Sequence, residues 1–411
     1  MRGLLFGVRP SPTDPALVEA LSEDASPYLK ALATVPMDLR DIPDPALPAD
    51  DWVIIKTNLC GICGSDAKQV FMDGDGDSSM TAMISFPQVL GHEVIGEIVE
   101  VGSAAGRRIG ERVVLNPWLS CGPRGISPMC PSCENGDFNL CHHFTEGHLA
   151  PGIHTGNSST ASGGFAELVP AHTSMAIPCP DEVPDEIAVL ADPFSVALHS
   201  VLRNPPPIGG KVLVYGIGAL GLSTLAVLAK LYPTVEVGAI VRWQHQADAA
   251  ERHGAKAFFH SPPELLVEAV SDWAQARLHK PWEGLPMTFP GGVDVVYDTV
   301  AAPETLEVSV RVLRARGRMV LTGVSQAGRF EWSPWYFKEL NLIGSNAFGV
   351  EEVGGVRKHA ISHYLDWAAT GGIDVSDMLT HRFALDAWRD AFGTIARQGD
   401  TGTIKVAFDY R

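Results

Sequence analysis

Lys211-Val212-Leu213-Val214-Tyr215-Gly216-Ile217-Gly218-Ala219-Leu220-Gly221 decides the fold class. A short apolar strand runs into Gly-x-Gly-x-x-Gly, and Leu222 to Leu231 continues with helical character. The glycine pattern alone is weak. A strand before it and a helix after it make it specific for the first βα turn of a parallel, dinucleotide-binding sheet. Gly216 permits the tight turn, Gly218 lets backbone approach a pyrophosphate, and Gly221 allows close helix packing. Ala219 and Leu220 open the helix whose N-terminus faces the phosphates. About twenty residues on, such a sheet places an acid that binds the ribose diol of NAD. Here the second strand ends Ala239-Ile240-Val241-Arg242-Trp243, without a carboxylate. Arg242 can pair with a 2′-phosphate instead, so NADP is the expected dinucleotide, with NAD possible if Arg242 only covers surface.

Upstream, Cys60-Gly61-Ile62-Cys63-Gly64-Ser65-Asp66 follows the strand-like run Trp52 to Thr57. Cys63 therefore sits where a strand opens into a glycine-rich turn, a place where backbone can approach a metal closely, and it reads as a zinc ligand. The competing reading pairs Cys60 with Cys63 as a redox or structural Cys-x-x-Cys, which requires a following βαβ unit or a second pair at matching spacing. Further on, Gly91-His92-Glu93 opens the alternating run Val94 to Gly102. Alone, His92 reads as a satisfied structural histidine; coupled to Cys63 it reads as a second ligand. Cys121, Cys130, Cys133 and Cys141 form Cys-x8-Cys-x2-Cys-x7-Cys. Four thiolates in one short lobe satisfy tetrahedral zinc completely, so this site would be structural. Two Zn2+ per chain are expected.

These segments resemble the medium-chain dehydrogenase/reductase superfamily, in its zinc-dependent alcohol and polyol dehydrogenase branch. The likeness runs over nearly the whole chain and in the family's order. It includes Ser162 to Val169, Val189 to His199, Val293 to Asp298, Gly317 to Val324 and Ile404 to Phe408. The resemblance implies an α/β chain. A β-rich, GroES-like catalytic domain would take residues 1–198, with its zinc lobe at about 121–141. A Rossmann doubly wound parallel sheet would take 199–345, and the chain would return to the catalytic domain over 346–411. It also implies site roles. Asp192 takes the place of an acid at or near the catalytic zinc, one methylene shorter than usual, with Glu93 as the alternate ligand. Ser65 matches the hydroxyl that passes the substrate proton outward, and Asp66 the carboxylate that orients a ligand such as His92. The relay histidine that many relatives carry three residues after that hydroxyl is Lys68 here. Gly323 joins the cofactor set, and Lys405 takes the place of a basic residue that reaches the cofactor pyrophosphate. Gly122 to Met129 lengthens the family's first interval in the cysteine lobe.

With 411 residues, 45% of them apolar, the chain supports two ordinary cores. A formal charge of -17 disfavours nucleic acid and anionic lipid as partners, since both need a basic face. No apolar run approaches the roughly eighteen residues of a membrane span. Met1 to Val8 is too short in its apolar part for a secretory signal, so a cytoplasmic location is expected. Seven cysteines, odd in number and clustered at ligand spacings, argue for metal rather than disulfides. Asp73, Asp75 and Asp77 suggest a calcium loop, but Ser78 and Ile84 occupy positions where that loop needs Gly and an acid, so a polar surface loop is expected. His142, His143, His148 and His154 fit no ligand spacing and read as loop residues, with contact between one of them and substrate as the lesser alternative. Segments 9–34 and 261–290 read as insertions, the first with a helical patch near Leu17 to Lys30, the second, with Trp273 and Trp282, as a dimer-facing or lid-like element.

The expected activity is zinc-dependent hydride transfer between an alcohol, or its aldehyde or ketone, and NADP(H). The alternatives are zinc-assisted reduction of a C=N or conjugated C=C bond, or a nucleotide-binding regulator that retains the fold. The expected partner is a small alcohol or carbonyl substrate, and the resemblance implies a homodimer or homotetramer.

Overall fold

The computed structural model describes residues 1–10, 26–73, 79–324 and 328–411. The chain divides into two compact units. One comprises Met1–Asp192, Gly349–Gly372 and Leu379–Arg411, the other Pro193–Phe348 and Ile373–Met378.

The first unit is built on a seven-stranded sheet. Its central strand β1 (Trp52–Gly61) is buried along nearly its whole length, which suits its run of β-branched and apolar residues. β1 pairs antiparallel with β2 (Glu93–Val101), with Leu168–His172 and with Lys405–Asp409. Arg112–Leu115 and Ala176–Pro178 extend the sheet beyond β2, and Leu379–Phe383 extends it on the other side. A three-stranded sheet carries the N-terminal strand Arg2–Phe6. Trp52, Phe165, Phe392 and Phe408 fill the core between elements, with the Phe165 and Phe408 rings edge to face at 4.9 Å.

Sheet register assembles the functional end of this unit. Gly61, the last residue of β1, faces Glu93, the first of β2, and also Ala407 of the C-terminal strand. The turn after β1, the residues just before β2 and the start of the C-terminal strand therefore meet at one edge. Helix α1 (Gly64–Val70) starts there, with Cys63 as its N-cap.

The second unit holds a six-stranded, all-parallel sheet. β3 (Lys211–Tyr215) lies between β4 (Glu236–Val241) and β5 (Val293–Asp298). Lys256–Phe259 lies beyond β4, and Leu313–Leu321 and Asn341–Gly344 lie beyond β5. Strand order thus reverses between β3 and β5, the crevice where doubly wound sheets bind ligands.

The two expected insertions resolve differently. In the first, Pro27–Thr34 is helical, capped by Ser26 Oγ accepting from Leu29 N, and Leu32 enters the core. The earlier part of the helical patch, 17–25, lies outside the described residues, as do Asp75 and Asp77 of the acidic loop. In the second, the helix Pro263–Ala274 buries Leu266, Val267 and Val270, and Trp273 packs on Phe258 at 5.6 Å. That half is core of the nucleotide unit. The other half is a two-stranded ribbon, Leu278–His279 with Met287–Thr288, and Trp282 in its loop is fully exposed.

Candidate metal centre and nucleotide site

Cys63, His92 and Glu93 each present a ligand atom, and these atoms lie within 4.8 Å of one another. Cys63 is held by α1: Asp66, three residues on, accepts from Cys63 N at 3.0 Å and so caps the helix start. The same carboxylate has its other oxygen 3.7 Å from His92 Nδ1. One buried acid therefore caps the Cys63 turn and sets a negative charge beside His92. His92 Nδ1 is buried and makes no hydrogen bond among the described residues. Burial opposes protonation of His92, but the negative charges of Asp66 and Cys63 outweigh it and raise its proton affinity well above the ordinary value. Surroundings that attract a proton to this imidazole attract a cation equally well, and a thiol, an imidazole and a carboxylate are donors that suit zinc. The set fits a zinc ion.

Glu93 has a second partner. Lys405 Nζ lies 2.5 Å from Glu93 Oε1 and donates at 3.0 Å to Ile62 O, with both side chains buried. A Cβ on Gly61 would lie 2.0 Å from Glu93 Oε2 and 3.0 Å from Lys405 Cε, so only glycine leaves room for this pair. Asp192, in the first turn of the helix Ala191–Arg203, is buried and interacts electrostatically with His92, Glu93 and Lys405. Burial pushes its carboxyl up to about 7. It stands beside the close trio rather than within it. Ser65 is half-buried on the first turn of α1, and Lys68 lies one turn further on.

Cys60 does not join Cys63. It is fully buried at the end of β1, its Sγ facing Gly91 and Gly164, and burial raises its thiol well above the ordinary range. The sheet separates the two cysteines, because one side chain points into the core and the other lies past the strand end.

His154, which the sequence reads as a loop residue, lies against the trio. Its ring packs on His92 at 4.6 Å between centroids and meets Trp118 edge-on at 6.1 Å. Burial first, then the neighbouring His92, push it down to about 3. The bridge Trp118↔His154 places it here, and no sequence spacing signals such a non-local pairing.

The four lobe cysteines are buried, and their sulfurs also lie within 4.8 Å of one another. Cys130 N, His142 N and His143 N donate to the sulfurs of Cys121, Cys130 and Cys141 at 3.4, 3.5 and 3.4 Å. Such bonds favour thiolates, and the set fits a closed tetrahedral zinc. Cys121 takes part despite its lengthened interval. The extra residues carry Arg124, whose buried guanidinium donates to Leu119 O, Glu146 O, Leu149 O, Ala150 O and Gly152 O. One side chain thus ties the lengthened loop to the chain leading to His154.

In the nucleotide unit, Gly216 adopts φ +88°, and Gly218 is the N-cap of α2 (Ala219–Leu231). A Cβ on Gly221 would lie 2.0 Å from Gly216 O, whereas one on Gly218 would meet nothing within 4 Å. The turn is tight on its protein side and open on the other, a cradle that fits a pyrophosphate. Gly323 packs on the Thr299–Val300 backbone beside it. Arg242 follows β4; its backbone N donates to Gln246 Oε1 at 2.9 Å, and its exposed guanidinium lies 5.7 Å over the Trp243 ring. No carboxylate pairs with it among the described residues.

Comparison with known proteins agrees with this geometry. Residues 49–181 match the alcohol dehydrogenase GroES-like domain, and residues 219–367 match the zinc-binding dehydrogenase family. The chain is 29% identical to L-threonine 3-dehydrogenase of Rhizobium etli, covering 93% of this chain and 97% of that one. It is 31% identical to (R,R)-butanediol dehydrogenase of Saccharomyces cerevisiae, over 68% of this chain and 71% of the other. A solved structure from Sinorhizobium meliloti 1021, assigned as a zinc-binding dehydrogenase and bound to NADP, superposes with a TM-score of 0.67 at 28% identity, covering 91% and 96% of the two chains. Among the described residues, no helix is long and apolar enough to cross a membrane. With both halves matched, this chain is an oxidoreductase that belongs to the zinc-dependent alcohol and polyol dehydrogenases of the medium-chain dehydrogenase/reductase superfamily.

Proposed function

We propose that the enzyme transfers hydride between a secondary alcohol and NADP, with Cys63, His92 and Glu93 holding a zinc ion beside the reacting hydroxyl. The close trio of donor atoms at the end of β1 carries this reading. A zinc ion there supplies Lewis acidity, which lowers the pKa of an alcohol hydroxyl toward neutrality. The chain's own groups do the rest. Asp66 caps the Cys63 turn and holds a negative charge beside His92. Lys405 balances the charge of Glu93, so the metal edge carries less net negative charge than its carboxylates alone would give. Ser65, half-buried on the first turn of α1, accepts the hydroxyl proton and passes it outward to water, because Lys68 replaces the histidine that continues the relay in many relatives. The loop Gly216–Gly221 cradles the pyrophosphate, and Arg242 receives the 2′-phosphate. The NADP found in the Sinorhizobium meliloti structure supports that cofactor. Threonine and butanediol, named for two relatives, support a secondary alcohol.

Initial rates over a panel of secondary alcohols, each with NADP and NAD, on protein of measured zinc content, test this. Cys63→Ser is expected to lower zinc from about two per chain toward one and activity by at least about a thousandfold. Full zinc and full activity in that variant would remove Cys63 from the metal centre.

A further inference from the structure

We propose that His154 selects substrates that carry a hydrogen-bond donor, a hydroxyl or an ammonium, on the carbon next to the reacting carbinol. This rests on the secondary-alcohol reading above and specifies it.

Three observations carry it. First, the residue is fixed beside the metal edge. Its backbone N donates to Asn157 Oδ1 at 3.0 Å, Leu119 N donates to Ile153 O at 3.1 Å, and Thr155 N donates to Pro117 O at 2.8 Å. Residues 153 to 155 are thus pinned along 117 to 119, and the imidazole rests against His92, one of the three close donors. Second, the tautomer is determined. His154 Nδ1 lies 2.7 Å from Thr155 O, and a carbonyl oxygen has no proton to give. Nδ1 therefore carries the hydrogen and Nε2 carries the lone pair. Third, the ring is only half-buried, and its side-chain hydrogen bond among the described residues is made by Nδ1, which leaves Nε2 without a protein donor. It is an acceptor held in place beside the metal edge without a protein donor to satisfy it. A substrate O–H or N–H supplies that donor. A plain alkyl neighbour leaves the lone pair unpaired, and an ether oxygen meets it as a second acceptor. Sites built around such a group reject analogues that lack the partner far better than apolar pockets reject a change of size.

Four probes with one carbon skeleton isolate the effect: 2-butanol, 2,3-butanediol, 3-amino-2-butanol and 3-methoxy-2-butanol. The wild-type enzyme is expected to prefer the diol and amino alcohol over both 2-butanol and the methoxy ether by about tenfold or more in kcat/KM. His154→Phe keeps the aromatic contact with His92 and is expected to remove that preference, mainly through KM. His154→Gln retains an acceptor and is expected to restore part of it. Calorimetric titration of the diol and of 2-butanol into zinc-loaded enzyme carrying reduced cofactor gives a reading independent of turnover, and the affinity ratio is expected to collapse in His154→Phe. Equal handling of diol and methoxy ether by wild type overturns the proposal. So does a preference that survives in His154→Phe, or an equal loss on all four probes with falling zinc content, which marks a packing role. Turnover of none of the four overturns the secondary-alcohol reading itself.

Discussion

Lys405 Nζ lies 2.5 Å from Glu93 Oε1, in a buried ion pair between residues 312 positions apart in sequence. The pair exists because Ala407 and Glu93 both face Gly61 across β1. Breaking a buried pair by removing one partner strands the other charge. Lys405→Met is expected to destabilise the first unit by about 3–5 kcal/mol. Lys405→Met with Glu93→Gln is expected to recover most of that loss. Thermal unfolding of the two variants and wild type, each at fixed zinc content, measures it; a double variant no more stable than the single one would mean that the charges are not coupled.

Arg242 governs the dinucleotide in the proposed reading. Arg242→Asp places a carboxylate where the ribose diol of NAD would bind and removes the cation that receives a 2′-phosphate. The ratio of kcat/KM for NADP over NAD is expected to fall by about a hundredfold, from a charge-assisted contact worth roughly 1.5–3 kcal/mol and the repulsion that replaces it. Steady-state kinetics with both cofactors decide it, and an unchanged ratio would leave Arg242 a surface residue.

Arg124, in the lengthened cysteine lobe, donates to five carbonyls of the chain on either side of that lobe while almost wholly buried. Arg124→Met removes every donor and leaves carbonyls unsatisfied at about 1–3 kcal/mol each where water cannot enter. The expected result is early loss of one zinc on heating and proteolytic cleavage between 119 and 152. Stoichiometric zinc and unchanged protease resistance would show that the lobe orders itself through its thiolates alone.

Lys338 gives a pH signature. Its ammonium is buried at the C-terminal end of the helix Pro303–Val312, donating to Val310 O, Arg311 O and Leu313 O at 3.1, 2.8 and 2.7 Å. Burial, with the positive charge of Arg311 nearby, pulls it down to about 7 from an ordinary 10.5. Between those values the unfolded chain holds a proton that the native state has released. Stability of the nucleotide unit therefore rises with pH across that window, by an amount on the order of 3 kcal/mol. Lys338→Met is expected to lack the rise. Melting temperatures at pH 7 and pH 9.5 for both proteins provide the comparison, and parallel pH dependences would exclude the effect.

The fold and much of the site were legible in the sequence because their signals are local. Gly216 to Gly221 must be glycine-patterned for the turn to close, and the lobe cysteines sit within one short loop. Cys63 and His92 were readable as a pair only together with the turn and strand around each. The lengthened interval before Cys130 was visible, but its organiser was not. Arg124 looks like any loop arginine until the carbonyls of five different residues converge on it.

The sequence by itself determined the chemistry available: thiolates, an imidazole and carboxylates upstream, and a phosphate cradle with a cation in place of an acid downstream. The order of elements followed as well, since the strand–turn–helix pattern admits few topologies. Tertiary structure decided which of those groups meet. Sheet register set Glu93 rather than Asp192 in the close trio with Cys63 and His92, and turned Lys405 inward to Glu93. A single long-range bridge beside Trp118 brought His154 onto His92. These outcomes depend on pairings between strands and loops far apart in the chain. Such pairings are fixed by the packing of the whole unit, and no residue announces its distant partner in its local pattern.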